Sequence, residues 1–417
     1  MGDWRTAHHF RHTGRHLVLF GAGADRGDVS ALQQATGLRM GSSLTDQGAG
    51  RTRDLVPGEG VVFPRLRAAL LHADPDQVQA LQAHADAHSL LVEPERFVRA
   101  TGSDADSVIA TPGLSSPSGS LANASPVQGA GLTDTAQATW ALQATGVLAS
   151  TYAGRGVRIA ILDTGLDLSH PDFTGRTIVV QSFVPGLTAA DRNGHGTHCV
   201  GIACGPLQPH QGPRYGVAFA SEIYVGRVLD DSAGGTDGSI LAGIDWAVQN
   251  GCAIVSMSLG SPVLLGDTYS PIFEQVAIRA LAAGSLLIGA AGNESERPDT
   301  IVPVEHPANC PSILAIGAVD SNFAVAPFSN GGLNPNGGEV DLAAPGVAMM
   351  SSWVGPSFYQ SDSGTSTATP QVAGIAALLA EANPLARGNA LRSLLLQGYR
   401  RLPLPVRDVG VGLIQVL

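Results

Sequence analysis

Lysine is missing from this sequence. All 24 basic side chains among 417 residues are arginine, and 35 acidic residues outnumber them. The formal net charge of −11, with no basic cluster, argues against a nucleic-acid partner. The acidic balance favours solubility and some attraction for cationic substrates. Charged residues are scarce at 14%, while apolar residues reach 44%, enough for a sizeable core and too many for a disordered chain. Cysteine is also rare. Cys199, Cys204, Cys252 and Cys310 show no paired CxxC spacing, which excludes a disulfide framework and a structural zinc site and leaves free or buried thiols. The longest apolar stretch, Ala277 to Ala291, is broken by Arg279 and is too short to cross a bilayer, so no membrane partner is expected. The start, M-G-D-W-R-T-A-H-H-F-R-H, has no apolar run of the kind a signal peptide needs.

What is present divides into four parts. Residues 1–15 read as a polar tail. Residues 16–100 read as a small α+β unit with strand runs at Leu17–Phe20, Val61–Phe63, Ala68–Leu71 and Leu90–Val98. Helical patterns begin near Asp28 and Pro75, giving the order β-α-β-β-α-β of a ferredoxin-like fold. Residues 101–135 turn to Ser, Gly, Ala, Pro and Thr, a flexible linker open to cleavage. Residues 136–417 alternate apolar strands (Val157–Leu162, Ile223–Leu229, Ala253–Met257, Leu286–Ala290, Ile313–Val319) with helical stretches near 239–249, 272–283, 367–381 and 385–397. That alternation predicts an α/β class: a three-layer parallel sheet covered by helices on both faces. Chemistry in such sheets sits beyond the carboxyl ends of the strands.

Four residues stand at such places. Asp163 follows the strand V-R-I-A-I-L, where a carboxylate can orient a histidine or simply form a turn. His195 lies in N-G-H-G-T-H-C-V-G, leading into a helix of small residues; with His198 it could instead share a metal ion, although no third ligand is evident. Ser366, in G-T-S-T-A-T-P, precedes an apolar helix and is either a cap or a nucleophile beside the positive end of the helix dipole. Pro370 is expected within that helix's first turn. Asn293, in A-A-G-N-E, can offer a side-chain amide to a developing oxyanion, or be an ordinary loop residue.

Taken together, D-T-G, H-G-T-H, S-M-S-L-G, A-A-G-N and G-T-S-x-A-T-P, in this order, resemble the subtilisin-like (S8) serine protease family over about 136–417, with H-G-T-H-C nearest the proteinase K branch. The resemblance implies a serine endopeptidase with Asp163, His195 and Ser366 as catalytic residues and an oxyanion hole from Asn293 and Ser366. A dead binding module or a transpeptidase on the same fold is the alternative. It also implies that Gly234, Gly235, Ser258, Leu259 and Gly260 flank an extended peptide, and that Ala291 and Gly292 wall the P1 pocket. Glu294, Glu296 and Glu305 lie nearby; they form either an acidic rim that tolerates basic P1 side chains or solvated loop charge. Catalysis needs no cofactor, but structural calcium is implied at Pro311, Ile313 and Asp320. Asp172 matches a ligand of a second calcium site whose loop, G-P-L-Q-P-H-Q-G-P, lacks the usual asparagines. Thr367 stands where the family usually has methionine, so resistance to peroxide is expected.

The unit at 16–100 resembles an inhibitor-type propeptide, removable, with its end near Phe97 to Thr101 filling the cleft; a permanent accessory domain is the plainer reading. Polypeptide substrates and this intramolecular inhibitor are the expected partners, and a monomer the expected state. The resemblance points to an extracellular enzyme, the visible N-terminus to a cytoplasmic one.

Overall fold

The computed structural model describes residues 12–21, 26–42, 55–88, 90–101 and 131–416. The tail at 1–11 and the linker segment 102–130 lie outside the described residues. The N-terminal unit runs β1 (His12–Leu19), α1 (Arg26–Thr36), β2 (Arg39–Ser42), β3 (Glu59–Phe63), β4 (Ala68–His72), α2 (Pro75–His88) and β5 (Leu91–Ala100). Its sheet has the order β5-β1-β4-β3-β2. Two differences from expectation appear. β1 starts at His12, inside the segment read as a tail, and the polar strand β2 carried no apolar signal. Alternate residues face opposite ways along each strand. Val18, Phe20, Ala69 and Leu71 therefore pack with Leu32 and Leu81 of the unit's own helices. Leu17, Leu19, Phe63 and Leu70 point to the other side and need a second partner.

That partner belongs to the larger unit. After the short helix α3 (Trp140–Ala144), its strands are β6 (Arg158–Asp163), β7 (Ile178–Ser182), β8 (Glu222–Arg227), β9 (Gly234–Thr236), β10 (Ile254–Met257), β11 (Leu259–Gly260), β12 (Leu286–Ala290), β13 (Leu314–Val319), β14 (Leu342–Pro345), β15 (Met349–Ser352), β16 (Tyr359–Asp362), β17 (Tyr399–Arg400) and β18 (Leu413–Ile414). Its helices are α4 (His195–Cys204), α5 (Asp237–Gln249), α6 (Pro271–Ala282), α7 (Thr365–Ala382), α8 (Asn389–Leu395) and α9 (Val406–Val409). Nine strands form the main sheet in the order β17-β18-β14-β13-β12-β10-β6-β8-β7, parallel from β7 to β18. In β6, Ile159 and Ile161 pack with Val200 of α4 and Val372 and Ile375 of α7. Ala160 and Leu162 face the opposite layer, with Ile240 and Ile244 of α5 and Phe273 and Val276 of α6. From Ile159 to Leu162 the strand is buried on both sides and apolar at every position, which is why it was readable.

The outer surface of α5 and α6 receives the unpartnered face of the N-terminal sheet, so Leu17, Phe63 and Leu70 share one core with Ile240 and Phe273. Two carboxylates of β5 reach helix N-termini there, where free N–H groups and the dipole favour negative charge. Glu95 is fully buried and accepts from Gly238 N of α5 at 2.9 Å, and from Arg15 Nε at 2.6 Å. Glu93 accepts from Ile272 N of α6 at 3.0 Å and from Ser270 Oγ at 2.6 Å. β5 also runs antiparallel to both β9 and β11, so one strand closes the small sheet and bridges two edges of the large unit.

Candidate active site

Asp163 is the last residue of β6, at its carboxyl end, and is completely buried. His195 opens α4, and its Nδ1 lies 2.8 Å from Asp163 Oδ1, which also accepts from Thr164 N at 2.7 Å. The two segments are tied by Asp191, which sequence reasoning missed. Its Oδ1 accepts from Thr164 Oγ1 and Gly194 N (3.0 Å each), its Oδ2 from Thr197 N (2.9 Å) and Thr197 Oγ1 (2.7 Å) in the first turn of α4. An aspartate four residues before the histidine was the available signal, since acids are favoured at helix starts.

Burial pulls the imidazole's affinity for a proton down. The Asp163 charge, with the Cys199 sulfur and the Asp163 hydrogen bond contributing after it, raises the His195 pKa well above the usual value. His198 goes the other way, to about 4, chiefly through burial. Its Nε2 faces the carbonyls of Met349 (3.0 Å) and Gln360 (3.2 Å), so it fastens α4 to the β15–β16 hairpin and does not join His195 around an ion.

Ser366 is the second residue of α7, fully buried, near the end of β10. Pro370 is not in the first turn as expected. The helix starts at Thr365, which puts the proline in the second turn, inside the helix. Its missing N–H would have bonded the Ser366 carbonyl. That carbonyl instead accepts from Ser258 Oγ at 2.8 Å and meets Cys199 Sγ at 3.6 Å. Cys199 Sγ lies 4.0 Å from His195 Nδ1, and burial raises its thiol pKa, so it fills space beside the imidazole as a neutral group. Asp163, His195 and Ser366 are all buried, and Cys199 Sγ approaches both the imidazole and the Ser366 carbonyl. His195 Nε2 and Ser366 Oγ are both buried without hydrogen-bond partners in this structure.

Asn293 lies across from Ser366. Its Oδ1 accepts from Thr365 N (2.8 Å) and Thr365 Oγ1 (2.9 Å), which fixes the amide so that Nδ2 is left buried and unpartnered. Thr365 was missed because an orienting hydroxyl has no motif of its own. A Cβ placed on Gly364 would lie 2.5 Å from Ser366 Oγ, 3.0 Å from Asn293 Nδ2 and 3.2 Å from the Thr101 carbonyl oxygen, so these three atoms converge on one point. Thr101 arrives there as the continuation of β5: its N–H donates to Ser258 O at 3.1 Å, and Ala100 N–H donates to Ala233 O at 2.9 Å. The register pairs Val98 with Gly235, Arg99 with both Gly234 and Gly260, and Ala100 with Leu259. Gly234, Gly235, Ser258, Leu259 and Gly260 therefore all line an extended segment, while buried Ala291 and Gly292 lie against Glu305. Thr367 is buried and donates its hydroxyl to Gly364 O at 2.9 Å.

The expected calcium set needs correction. Pro311 and Ile313 precede β13 and Asp320 follows it; six strand residues separate them by about 20 Å, too far to share an ion. Asp320 Oδ1 instead accepts from Asn322 N and Ala324 N at 2.9 Å each, closing its own turn. The Pro311 carbonyl faces Arg392 Nη2 at 3.3 Å, which also lies 3.1 Å from Asp341 Oδ1, so a guanidinium supplies the positive charge there. Asp172 is likewise engaged, by His210 N at 2.6 Å and Tyr215 Oη at 2.5 Å. Among the described residues, the one cluster of three acid, imidazole or thiol groups within metal-binding reach is Asp163, His195 and Cys199.

A doubly covered parallel sheet, with its reactive groups past the strand ends and a peptide segment laid along two open edges, is the framework of a serine endopeptidase. The chain belongs to the subtilase family: the family model Peptidase S8 matches residues 154–412. It is similar to subtilisin from Bacillus pumilus, with 39% identity over 235 residues, 56% of this chain and 80% of that protein. Subtilisin DY from Bacillus licheniformis is 37% identical over 255 residues, 61% of this chain and 87% of that protein. Subtilisin E from Bacillus subtilis (strain 168) is 39% identical over 235 residues, 56% of this chain and 58% of that protein. Among the described residues, no helix is long and apolar enough to cross a membrane.

Proposed function

We propose that this chain is an exported, monomeric proenzyme that cleaves polypeptides through Ser366, His195 and Asp163, and that residues up to Thr101 are its own removable inhibitor. The observation that carries the reading is the meeting of the Thr101 carbonyl, Ser366 Oγ and Asn293 Nδ2 around Gly364. In the first step His195 Nε2 takes the hydroxyl proton as Ser366 Oγ attacks the Thr101 carbonyl carbon. The oxyanion accepts hydrogen bonds from Asn293 Nδ2 and the Ser366 backbone N–H, which lies in the first turn of α7 and has no intrahelical acceptor. Asp163 keeps the imidazole in the Nδ1–H tautomer and stabilises its charge. His195 then passes the proton to the amine of Gly102, the Thr101–Gly102 bond breaks, and water releases the acyl group by the same route.

Support for the inhibitor role comes from the β5 ladder and the buried Glu95, contacts that a cleaved segment would keep. The extracellular assignment rests on family resemblance alone. The test is expression of the wild type and Ser366→Ala with N-terminal sequencing. Wild type should yield a fragment beginning at Gly102 and label with a fluorophosphonate at Ser366; the variant should stay intact and unlabelled. Processing of purified Ser366→Ala at the same bond would defeat the reading.

A further inference from the structure

The P1 pocket has a feature that serine chemistry does not require. Glu305 is completely buried, anchored by its N–H to Ala291 O at 3.0 Å and by its carbonyl to Asn309 N at 2.8 Å. Its side chain lies between the two pocket walls, and both are glycine where they meet it. A Cβ on Gly260 would fall 2.3 Å from Glu305 Oε2, and one on Gly292 would fall 2.7 Å from Glu305 Cγ. Gly260 is on the strand that pairs with the peptide, and Ser258 on the same segment holds the Thr101 N–H. The carboxylate is thus packed between Gly260, on the strand that pairs with the peptide, and Gly292, next to Asn293. Glu294 adds a second acid at the rim: its Oε2 would lie 2.9 Å from a Cβ on Gly292, and its Oε1 is 3.0 Å from Arg99 Nη2. The buried Thr101 hydroxyl has no hydrogen-bond partner.

We infer that Glu305 is a specificity-determining residue that makes this pocket select arginine, and next lysine, at P1. This rests on the endopeptidase reading above. A carboxylate in a site closed off from water attracts a cation far more strongly than one in solution, and repels acidic side chains equally. Arginine should lead because its planar fork can engage the carboxylate through two N–H groups, whereas lysine offers a point charge. Glu305 touches the substrate side chain and not the reacting atoms, so its effect should appear as a ratio between substrates.

The experiment uses the processed enzyme and a set of peptide anilides that differ only at P1: Arg, Lys, Gln, Leu, Phe and Glu. Fluorophosphonate titration first counts competent active sites in each preparation, independently of P1. Wild type should show kcat/KM for Arg at least about tenfold above Leu and Phe, with Glu lowest. Glu305→Gln should reduce the Arg/Leu ratio by about 100-fold, the loss expected when one partner of a buried charge pair is removed. Glu305→Asp, which keeps the charge, should still favour Arg over Leu. A wild-type preference for Leu or Phe over Arg overturns the inference while leaving the endopeptidase reading intact, as does a ratio unchanged in Glu305→Gln. Wild-type enzyme that neither labels nor cleaves any of the peptides overturns both.

Discussion

His195 meets opposing influences, and the balance sets when it can work. In the proposed mechanism it acts as a base and must be neutral, yet Asp163 helps to hold its pKa well above the ordinary value despite burial. The acidic limb of kcat/KM is therefore expected above pH ~6.5, with activity rising as pH passes the raised value. Asp163→Asn should move that limb to lower pH and lower kcat by about 10⁴-fold, as lost orientation does in related triads; a pH–rate series on both proteins checks it. A limb unchanged in the variant would mean another group sets it. The charged pair also stabilises the fold below pH ~6.5, an effect lost as pH rises through the folded pKa. Thr365→Val removes the hydroxyl that Asn293 Oδ1 accepts from, so kcat should fall about tenfold with KM little changed; an altered KM with normal kcat would contradict this. Asp163, His195, Ser366 and Asn293 were legible because each sits in a short, distinctive string. Thr365 and Asp191 were not, because their meaning comes only from side chains brought close by folding.

Among the elements, β5 and α7 show how local chemistry is fixed by distant partners. The sequence marked β5 as a strand but could not show that Glu93 and Glu95 would meet the N-termini of α6 and α5. Added in trans, the isolated N-terminal segment carrying Glu95→Gln should inhibit processed enzyme about 10–100-fold more weakly than the unaltered segment, since a hydrogen-bonded charge is lost at a buried helix start; equal inhibition constants would reject that role. Apolar β6, β8, β10, β12 and β13 were readable from burial on both faces. β7, β14 and the β15–β16 hairpin were not, being short, partly polar or built on alanine. The grouping of Asp320 with Pro311 and Ile313 failed for a similar reason: sequence proximity hid the length of β13. At the other end of that strand, burial lifts Asp341 to about 6, opposed by the Ala315 N–H and Arg392. The ionised carboxylate thus costs stability as pH rises from its unfolded value through 6. Arg392→Met should remove the compensating charge and destabilise by about 1–2 kcal/mol at pH 8 but less at pH 5, where Asp341 is protonated. Melting temperatures at the two pH values test this, and equal losses at both would refute it.

At the scale of the whole molecule, two units share a hydrophobic core and a continuous ladder. How the β1–β5 sheet meets the larger unit was not legible in the sequence, because a sheet face and a pair of helices find each other only in three dimensions. The face formed by Leu17, Leu19, Phe63 and Leu70 is covered solely while α5 and α6 lie against it. If the N-terminal segment is the removable inhibitor proposed above, its release would carry that greasy surface into water and open it to proteolysis. On that proposal activation would run in one direction, each freed molecule hastening the disappearance of its own brake.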